Sequence, residues 1–194
     1  MKKVLLFVGL FLVSFTSFSQ DTIRVKNQIF EVLYSQKLES PLWLKYRSTN
    51  RPTNVNRGTM DFYTEKNIKT SDGEDYKANI YDKGHLAPAA SFSCNEGMLY
   101  ETFSYLNSAL QHQGLNRGQW SKLEAFERAA ANFFDVDVKV RVDVLFEGEE
   151  VVLPSGATIP SGFRKTITIG NKTRVFEFPN EDTKGTKWID YIIK

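Results

Sequence analysis

The chain has 194 residues, of which 41% are hydrophobic and 25% are charged, and its formal net charge is +2. This length suits one domain with a substantial core and leaves little room for a second. Basic and acidic residues nearly balance, so the overall charge does not indicate a nucleic-acid binder. One cysteine and two histidines exclude both an internal disulfide and a closed zinc site of Cys/His type.

The N-terminus has the pattern of an export signal. Lys2 and Lys3 precede an apolar run from residue 4 to about residue 13, and the small residues Ser17 and Ser19 follow at the spacing of a signal-peptidase site. A membrane anchor would need roughly 20 mostly apolar residues, and this run is too short. We expect a signal peptide at residues 1–19, export to the periplasm or the exterior, and a single domain at residues 20–194 with no membrane anchor.

Hydrophobic periodicity predicts an α+β domain in which strands dominate. Apolar and polar residues alternate from Val136 to Val144, which predicts a half-buried strand. Trp120, Leu123 and Ala130 recur at helical spacing and predict a helix at residues 115–134. The other expected elements are strands at residues 23–32 and 41–46, a long irregular connection at 51–79, a hairpin of 163–169 with 173–178, and a short C-terminal element at 188–192.

The segment around His85 carries the first candidate chemistry. Lys83 and Gly84 directly precede this histidine, so a cation, a glycine and an imidazole lie close together. Neutral imidazole can accept a proton from water near neutral pH, which is the role of a general base. Lys83 would supply a fixed positive charge for a phosphate oxygen. A lone histidine is more often structural than catalytic, so this segment alone does not decide the function.

Two blocks of sequence together resemble a known family. The first block is Asp82-Lys83-Gly84-His85-Leu86-Ala87-Pro88-Ala89, and the second is Leu115-Asn116-Arg117-Gly118-Gln119-Trp120. Asn116 lies 31 positions after His85; Asn107 and Gln111 precede the second block, and Leu123-Glu124 follows it. This pattern resembles the non-specific DNA/RNA endonucleases of the ββα-metal, or His-Me finger, superfamily. Stretches at residues 34–46 and 159–165 extend the resemblance over nearly the whole mature chain.

The resemblance implies both a fold and an activity. The fold would be α+β, with a mixed or antiparallel sheet core and a ββα-metal finger that carries the active site, and the substrates would be DNA and RNA. His85 would activate the attacking water, Asn116 would be the one direct protein ligand of a hydrated Mg²⁺, and Glu124 would hold metal-bound water. Asn107 would support this arrangement. Mg²⁺ prefers oxygen ligands and keeps most of its waters, and Mn²⁺ is an alternative ion.

Several of these positions leave alternatives open. Lys83 stands where the family has arginine, so a point charge would replace a bidentate contact with phosphate. Asp82 is expected to fix its loop through backbone hydrogen bonds. In one ideal helix, Asn116 and Glu124 would lie about 12 Å apart along the axis, so Glu124 would act through water or from a non-ideal first turn. Its alternative role is a surface pair with Arg128.

Arg51, Arg57 and Arg117 are candidate phosphate contacts, although isolated exposed arginines are usually solvated surface. His112 is expected to be a loop residue near the site to which the resemblance assigns no role, and Cys94 a small buried or half-buried residue. The leading hypothesis is an exported Mg²⁺-dependent endonuclease with little sequence specificity. The alternative is a catalytically silent nucleic-acid-binding protein that keeps the nuclease fold.

Overall fold

The structure is a computed structural model that describes residues 21–194, and the expected signal peptide at residues 1–19 lies outside these residues. In chain order the strands are β1 Thr22–Lys26, β2 Phe30–Ser35, β3 Ser40–Ser48, β4 Tyr81–His85, β5 Ser108–His112, β6 Val138–Leu145, β7 Val151–Val152, β8 Thr158–Ile159, β9 Gly162–Ile169 and β10 Lys172–Pro179. The α-helices are α1 Glu96–Glu101, α2 Gln113–Leu115 and α3 Ser121–Phe134. A 3₁₀ turn at Trp188–Tyr191 matches the predicted C-terminal element, and the expected α+β class is confirmed.

Six strands form the main sheet, in the spatial order β1-β2-β3-β6-β9-β10, and every neighbouring pair is antiparallel. β3 and β6 are neighbours although residues 49–137 separate them in sequence, and Ser48 lies opposite Val138. The hairpin predicted at residues 163–169 and 173–178 is confirmed as β9 and β10. Its turn contains Gly170 at a φ of 59°, a conformation that favours glycine. The strand predicted at residues 41–46 lies within β3.

The single strand predicted at residues 23–32 is wrong, because this segment forms two strands. The chain turns at Asn27, whose side-chain oxygen accepts hydrogen bonds from the backbone N–H groups of Ile29 (3.0 Å) and Phe30 (2.8 Å). Local side-chain bonds of this kind compete with a strand ladder and favour a turn. β1 and β2 therefore form a hairpin at one edge of the sheet.

One face of the sheet, which we call the inner face, carries the core. The residues of β6 that point to it are Val138, Val140, Val142 and Val144. They are at most 6% exposed, as the alternating sequence predicts. β6 begins at residue 138 rather than the predicted 136, because Asp135 takes a left-handed conformation (φ 49°) that ends α3.

A ββα unit packs on the inner face and is the finger that the sequence resemblance implies. We use "the finger" for β4, β5, α2, the turn Asn116–Trp120 and α3; β4 and β5 form an antiparallel pair. Leu86, Ala109 and Leu123 of this unit and its loops belong to the same hydrophobic cluster as the sheet. β5 was not among the predicted strands, because residues 108–111 are all buried and so lack alternation.

The continuous helix predicted at residues 115–134 is wrong in two respects. The helical segment begins at Gln113, and it is interrupted by a wider π-type turn over Asn116–Trp120 before α3 starts. Gly118 has a non-helical φ of −98° and ψ of −113°. A side chain here would place its Cβ 2.9 Å from the hydroxyl oxygen of Thr183, so glycine allows the close approach. The non-ideal first turn that was expected before Glu124 is therefore present.

The irregular connection predicted at residues 51–79 is confirmed. It contains one short 3₁₀ turn, Glu74–Tyr76, and an isolated bridge from Tyr63 to Ser104. The bridge ties the connection to the segment just before β5. Within residues 21–194, no helix is long and apolar enough to cross a membrane.

A buried ion pair joins the sheet to the finger. Lys165 on β9 and Glu127 on α3 are both 0% exposed, and Nζ of Lys165 donates to Oε1 of Glu127 at 2.9 Å. The Tyr46 hydroxyl donates to the other carboxylate oxygen. Nζ of Lys165 also lies 4.0 Å from the centre of the Trp120 ring, within range of a cation–π interaction. The helical spacing left Phe126 or Glu127 as the inward residue, and the structure buries Glu127.

We predict that Glu127→Leu lowers the free energy of unfolding by about 3–5 kcal/mol, because it leaves the Lys165 ammonium buried without its partner. Lys165→Met should cause a similar loss by leaving the carboxylate unpaired. Urea denaturation of each variant measures the effect. The double variant should recover part of the loss because it removes both charges, and strictly additive losses would contradict the pairing.

Candidate active site

His85 is the last residue of β4, and aromatic rings flank its side chain. The centre of the imidazole lies 4.8 Å from that of Phe62 and 5.3 Å from that of Phe103. Its Nε2 is buried and has no hydrogen-bond partner within residues 21–194. Burial, with a smaller contribution from the positive charge of Arg57, lowers the pKa of His85 to about 4. The imidazole is therefore neutral near pH 7, and Nε2 can accept a proton.

Asn107 fixes the backbone that follows His85. Its side chain is 0% exposed; Oδ1 accepts from the N–H of Ala87 at 2.8 Å, and Nδ2 donates to the carbonyls of Ala87 (2.9 Å) and Thr102 (2.8 Å). Its own carbonyl accepts from the N–H of Leu86 at 2.9 Å. The supporting role expected for Asn107 thus concerns the backbone just after His85, because the hydrogen bonds of Asn107 hold this backbone in place.

Gly84 is required for the close packing of β4 against β5. A Cβ at this position would lie 2.4 Å from Cβ and 2.5 Å from Oε1 of Gln111, distances that side-chain atoms do not adopt. Gln111 is 0% exposed, and within the described residues neither its Oε1 nor its Nε2 has a hydrogen-bond partner. The glycine before His85 therefore accommodates a buried amide on the facing strand.

Asn116 and Arg117 both bind the carboxylate of Asp82. Nδ2 of Asn116 donates to Oδ2 at 2.9 Å, and Arg117 donates through Nε (2.8 Å) and Nη2 (2.6 Å). Burial alone would raise the pKa of Asp82, but the hydrogen bonds from Arg117 and Asn116 outweigh it and hold the pKa below its usual value. The expectation that the Asp82 side chain bonds to backbone is wrong, because its carboxylate accepts from the side chains of Asn116 and Arg117.

The chemistry of Asn116 fits a Mg²⁺ ligand. Because its amide nitrogen donates to Asp82, the side-chain oxygen is oriented and left as an acceptor. Mg²⁺ takes oxygen ligands and keeps several waters, so one amide oxygen with solvent can suffice. Across residues 21–194 there is no group of three or more His, Cys, Asp or Glu side chains that could hold a metal ion.

Glu124 is a half-buried residue of α3. Burial raises its pKa to about 7; the nearby carboxylate of Glu127 adds to the rise, while the charges of Lys165 and Arg128 oppose it. The surface pair with Arg128, its alternative role, is not formed. No ion pair within 4.0 Å joins the two in the described chain, and Nη1 of Arg128 is buried without a hydrogen-bond partner there.

Lys83 shares one aromatic neighbour, Phe62, with His85. Its Nζ is 5.2 Å from the ring centre of Phe62 and 5.5 Å from that of Tyr105. It also forms an ion pair with Oδ1 of Asp61 at 3.2 Å, although the Asp61 side chain is 74% exposed. An incoming phosphate would therefore compete with Asp61 for this cation.

The structure separates the other two candidate phosphate contacts. The guanidinium of Arg57 lies 4.8 Å from the ring centre of Phe103, next to His85. Arg51 is instead 5.7 Å from the ring centre of Phe92 and lines a groove that shares no residue with the His85 cluster. Arg57 thus lies near His85 and Lys83, whereas Arg51 lies in a separate groove.

His112 and Cys94 have structural surroundings. His112 was expected in a loop, but it ends β5 and caps α2, with its Nδ1 accepting from the N–H of Gly114 at 3.0 Å. Cys94 is half-buried, as expected, and its Sγ lies 3.9 Å from Sδ of Met98.

Sequence reasoning missed Phe62, Phe103 and Asp61 as neighbours of the site. Phe62 and Asp61 come from the irregular connection, and no local pattern places them there. They reach His85 because the N–H of Tyr63 donates to the carbonyl of Phe103 at 3.0 Å and the N–H of Tyr105 donates back to Tyr63 at 3.0 Å. These long-range backbone bonds have no signature in a single sequence.

Comparison with known proteins identifies the family. A family model described as DNA/RNA non-specific endonuclease matches residues 9–194, which include every candidate site residue. The chain belongs to this family.

Individual members of the endonuclease family are similar over parts of their length. The nuclease of Serratia marcescens is 30% identical over 166 residues, which are 77% of this chain and 61% of that protein. Bovine mitochondrial endonuclease G is 28% identical over 112 residues, which are 55% of this chain and 38% of that protein. The chain thus spans less than two thirds of either relative. A crystal structure of an EndoG/EndoGI complex matches the fold with a TM-score of 0.79 at 23% identity, covering 88% of this chain and 80% of that one.

We predict that Glu124→Gln stabilises the protein at pH 8 but not at pH 5. The folded-state pKa of about 7 exceeds the ordinary 4.5, so stability is fully present below pH 4.5 and is lost as pH rises through 7. At pH 8 the native protein must bury an ionised Glu124, and glutamine removes that charge. Thermal unfolding in EDTA should show a gain in Tm of roughly 2–4 °C for each kcal/mol relieved.

The matched control is Glu181→Gln, which removes the charge of an exposed carboxylate. Its Tm difference from the native chain should be the same at both pH values. An equal gain for Glu124→Gln at pH 5 and pH 8 would contradict the raised pKa.

Proposed function

We propose that this protein is a Mg²⁺-dependent endonuclease that hydrolyses phosphodiester bonds of DNA and RNA with little sequence specificity. The observation that carries the proposal is the state of His85, whose Nε2 is buried, has no hydrogen-bond partner within residues 21–194, and belongs to an imidazole with a pKa of about 4. A general base needs a neutral nitrogen that can accept a proton. Membership of the endonuclease family supports nucleic acid as the substrate.

In the proposed reaction, Nε2 of His85 removes a proton from water as the water oxygen attacks phosphorus. The bond from phosphorus to the 3′ oxygen breaks, and that oxygen takes a proton from solvent. Lys83 and Arg57, which lie against the same aromatic rings as His85, would balance the negative charge of the phosphate. Contacts of this kind read no base edge, which is why we propose little sequence specificity.

Asn116 would hold the Mg²⁺ through Oδ1, and Asp82 would keep the amide in place. Mn²⁺, which also accepts oxygen ligands, is the alternative ion. Mg²⁺ bound at Asn116 would neutralise phosphate charge and stabilise the departing 3′ oxygen. Glu124 would accept hydrogen bonds from water at this site when its carboxyl is ionised. Arg117, exposed and bound to Asp82, is a further candidate for contact with substrate phosphate.

The second candidate function is binding without turnover. The ion pair between Lys83 and Asp61 favours it, because Asp61 occupies the cation that a phosphate would need. Lysine at this position also lacks the bidentate geometry of the arginine in the resembled pattern. The combination of His85, Asn116 and Glu124 on one finger supports the enzyme instead, since a binder needs no general base.

We predict that the mature protein degrades both plasmid DNA and total RNA in Mg²⁺, and that EDTA abolishes this degradation. His85→Ala should reduce the rate by about 10²–10⁴-fold, the usual contribution of a general base. Agarose gels follow the degradation, and end-labelling should find 5′-phosphate and 3′-hydroxyl products. Products with 3′-phosphates would rule out the proposed attack.

The matched control is His112→Asn, which changes the other histidine and keeps an acceptor for the α2 cap. It should retain activity. Intact nucleic acid with a retained mobility shift for the native protein would support the silent binder.

We also propose that the protein is exported by its N-terminal signal. Mass spectrometry of the protein recovered outside the cytoplasm should then find a mature N-terminus at Gln20. Recovery of the full-length chain from the cytoplasm alone would contradict export.

A further inference from the structure

The face of the main sheet opposite the finger, which we call the outer face, carries a basic groove. The groove crosses β1, β2, β3 and β6, and its basic lining residues are Lys26, Lys45, Arg47, Arg51, Lys139 and Arg141. Glu31 and Asp137 are its only acidic lining residues. Asp143, which pairs with Arg141, adds a third carboxylate, so six cations against three carboxylates leave a formal charge of +3 in a chain whose total is +2. The positive charge is therefore concentrated here.

Like charges face each other across two neighbouring strands of this groove. Lys45 lies opposite Arg141, and Arg47 lies opposite Lys139, in the register of β3 with β6. Directly opposed side chains on antiparallel strands have Cβ atoms about 4.5–5.5 Å apart, and like charges at that distance are destabilising. Two adjacent pairs of like charges are unfavourable for the stability of the sheet. Unfavourable local choices of this kind are typical of functional surfaces.

Intramolecular carboxylates neutralise only some of these cations. Arg141 pairs with Asp143 at 2.5 Å, and Arg47 pairs with Asp137 at 3.3 Å. The exposed side chains without an ion pair within 4.0 Å, as far as the described chain shows, are Lys26, Lys45 and Lys139. They project from β1, β3 and β6; on β2, which separates β1 from β3, Glu31 lies opposite both Lys26 and Lys45 and is paired with Arg24. Three amines without an ion pair of their own remain for an external anion.

Trp43 and two threonines complete the surface around the amines. Nζ of Lys45 and the guanidinium of Arg141 each lie 4.8 Å from the Trp43 ring centre, so the indole holds both cations above the sheet. Thr166 and Thr168 line the same groove from β9. Hydroxyl and amine donors on an extended surface are the groups that bind phosphate oxygens without reading sequence.

We propose that this groove is a second nucleic-acid-binding surface, which holds the sugar-phosphate backbone of a substrate segment remote from the cleavage site. The proposal rests on the proposed function, because it takes the polyanion to be the substrate polymer. Arg51, which the structure separates from His85, would contact phosphate here. A long polymer bound at the groove stays attached after one cleavage, so the surface favours repeated cuts in the same molecule.

The test uses the double variant Lys45→Gln/Lys139→Gln, which removes two exposed charges that have no ion pair. Binding is measured in EDTA with the His85→Ala form and linearised plasmid, over a range of salt concentrations. Loss of two phosphate contacts should weaken binding about tenfold and reduce the slope of log K against log salt by about 1.8. A duplex of about 10 bp, one helical turn, should show a smaller loss.

The matched control is Lys37→Gln/Lys172→Gln, which removes two exposed lysines outside the groove. It should leave the salt slope for plasmid unchanged. An identical slope for the groove variant and the native chain would overturn the proposal, as would unchanged plasmid binding combined with loss of binding to phosphatidylserine vesicles. If the groove variant loses plasmid binding while the native protein cuts no nucleic acid in Mg²⁺, the proposed endonuclease fails and the binding surface stands.

Discussion

The ion pair between Lys165 and Glu127 fixes how the finger sits on the sheet. Both groups are fully buried, so each depends on the other, and Glu127 also on the Tyr46 hydroxyl, for the interactions that water would otherwise provide. The lysine comes from β9 and the carboxylate from α3, so the pair sets the position of this helix against the strands. Glu124 lies one turn earlier on the same helix, and its environment follows from that position. A polar interaction in the core thus positions the half-buried carboxyl of Glu124, a candidate catalytic group.

Burial changes the two central titratable groups in opposite directions. It lowers the pKa of His85 to about 4 and raises that of Glu124 to about 7, since in each case it disfavours the charged form. The neutral imidazole suits a proton acceptor, whereas the carboxyl needs a nearby positive charge to ionise readily. Such opposed environments are typical of sites where two groups have different roles in acid–base chemistry.

Hydrophobic periodicity and sequence motifs predicted the elements whose structure depends on residues close together in sequence. The alternating valines of β6 fall in the predicted strand, whereas Asn116, predicted in a continuous helix, lies in the π-type turn before α3. β5 was missed because it is buried on both faces and has no alternation. The strand at residues 23–32 was not divided because Val25 and Ile29 continue the alternating pattern across Asn27. Phe62 and Asp61 could not be assigned to the site, because only backbone bonds between distant segments bring them to His85 and Lys83. Arg51 was grouped with Arg57 by residue type alone.

The adjacency of β3 and β6 bears on how this architecture can change through evolution. The segment at residues 49–137 leaves the sheet at Ser48 and returns at Val138, which are direct cross-strand partners, so the chain makes a topological detour between two adjoining positions. Without it, the remaining strands would form a simple six-stranded meander. The detour also provides the layer that covers the valines of the inner face, so it is not a removable module. Deleting it would expose the hydrophobic interior, and the candidate active site and a large part of the core are therefore inherited as one piece.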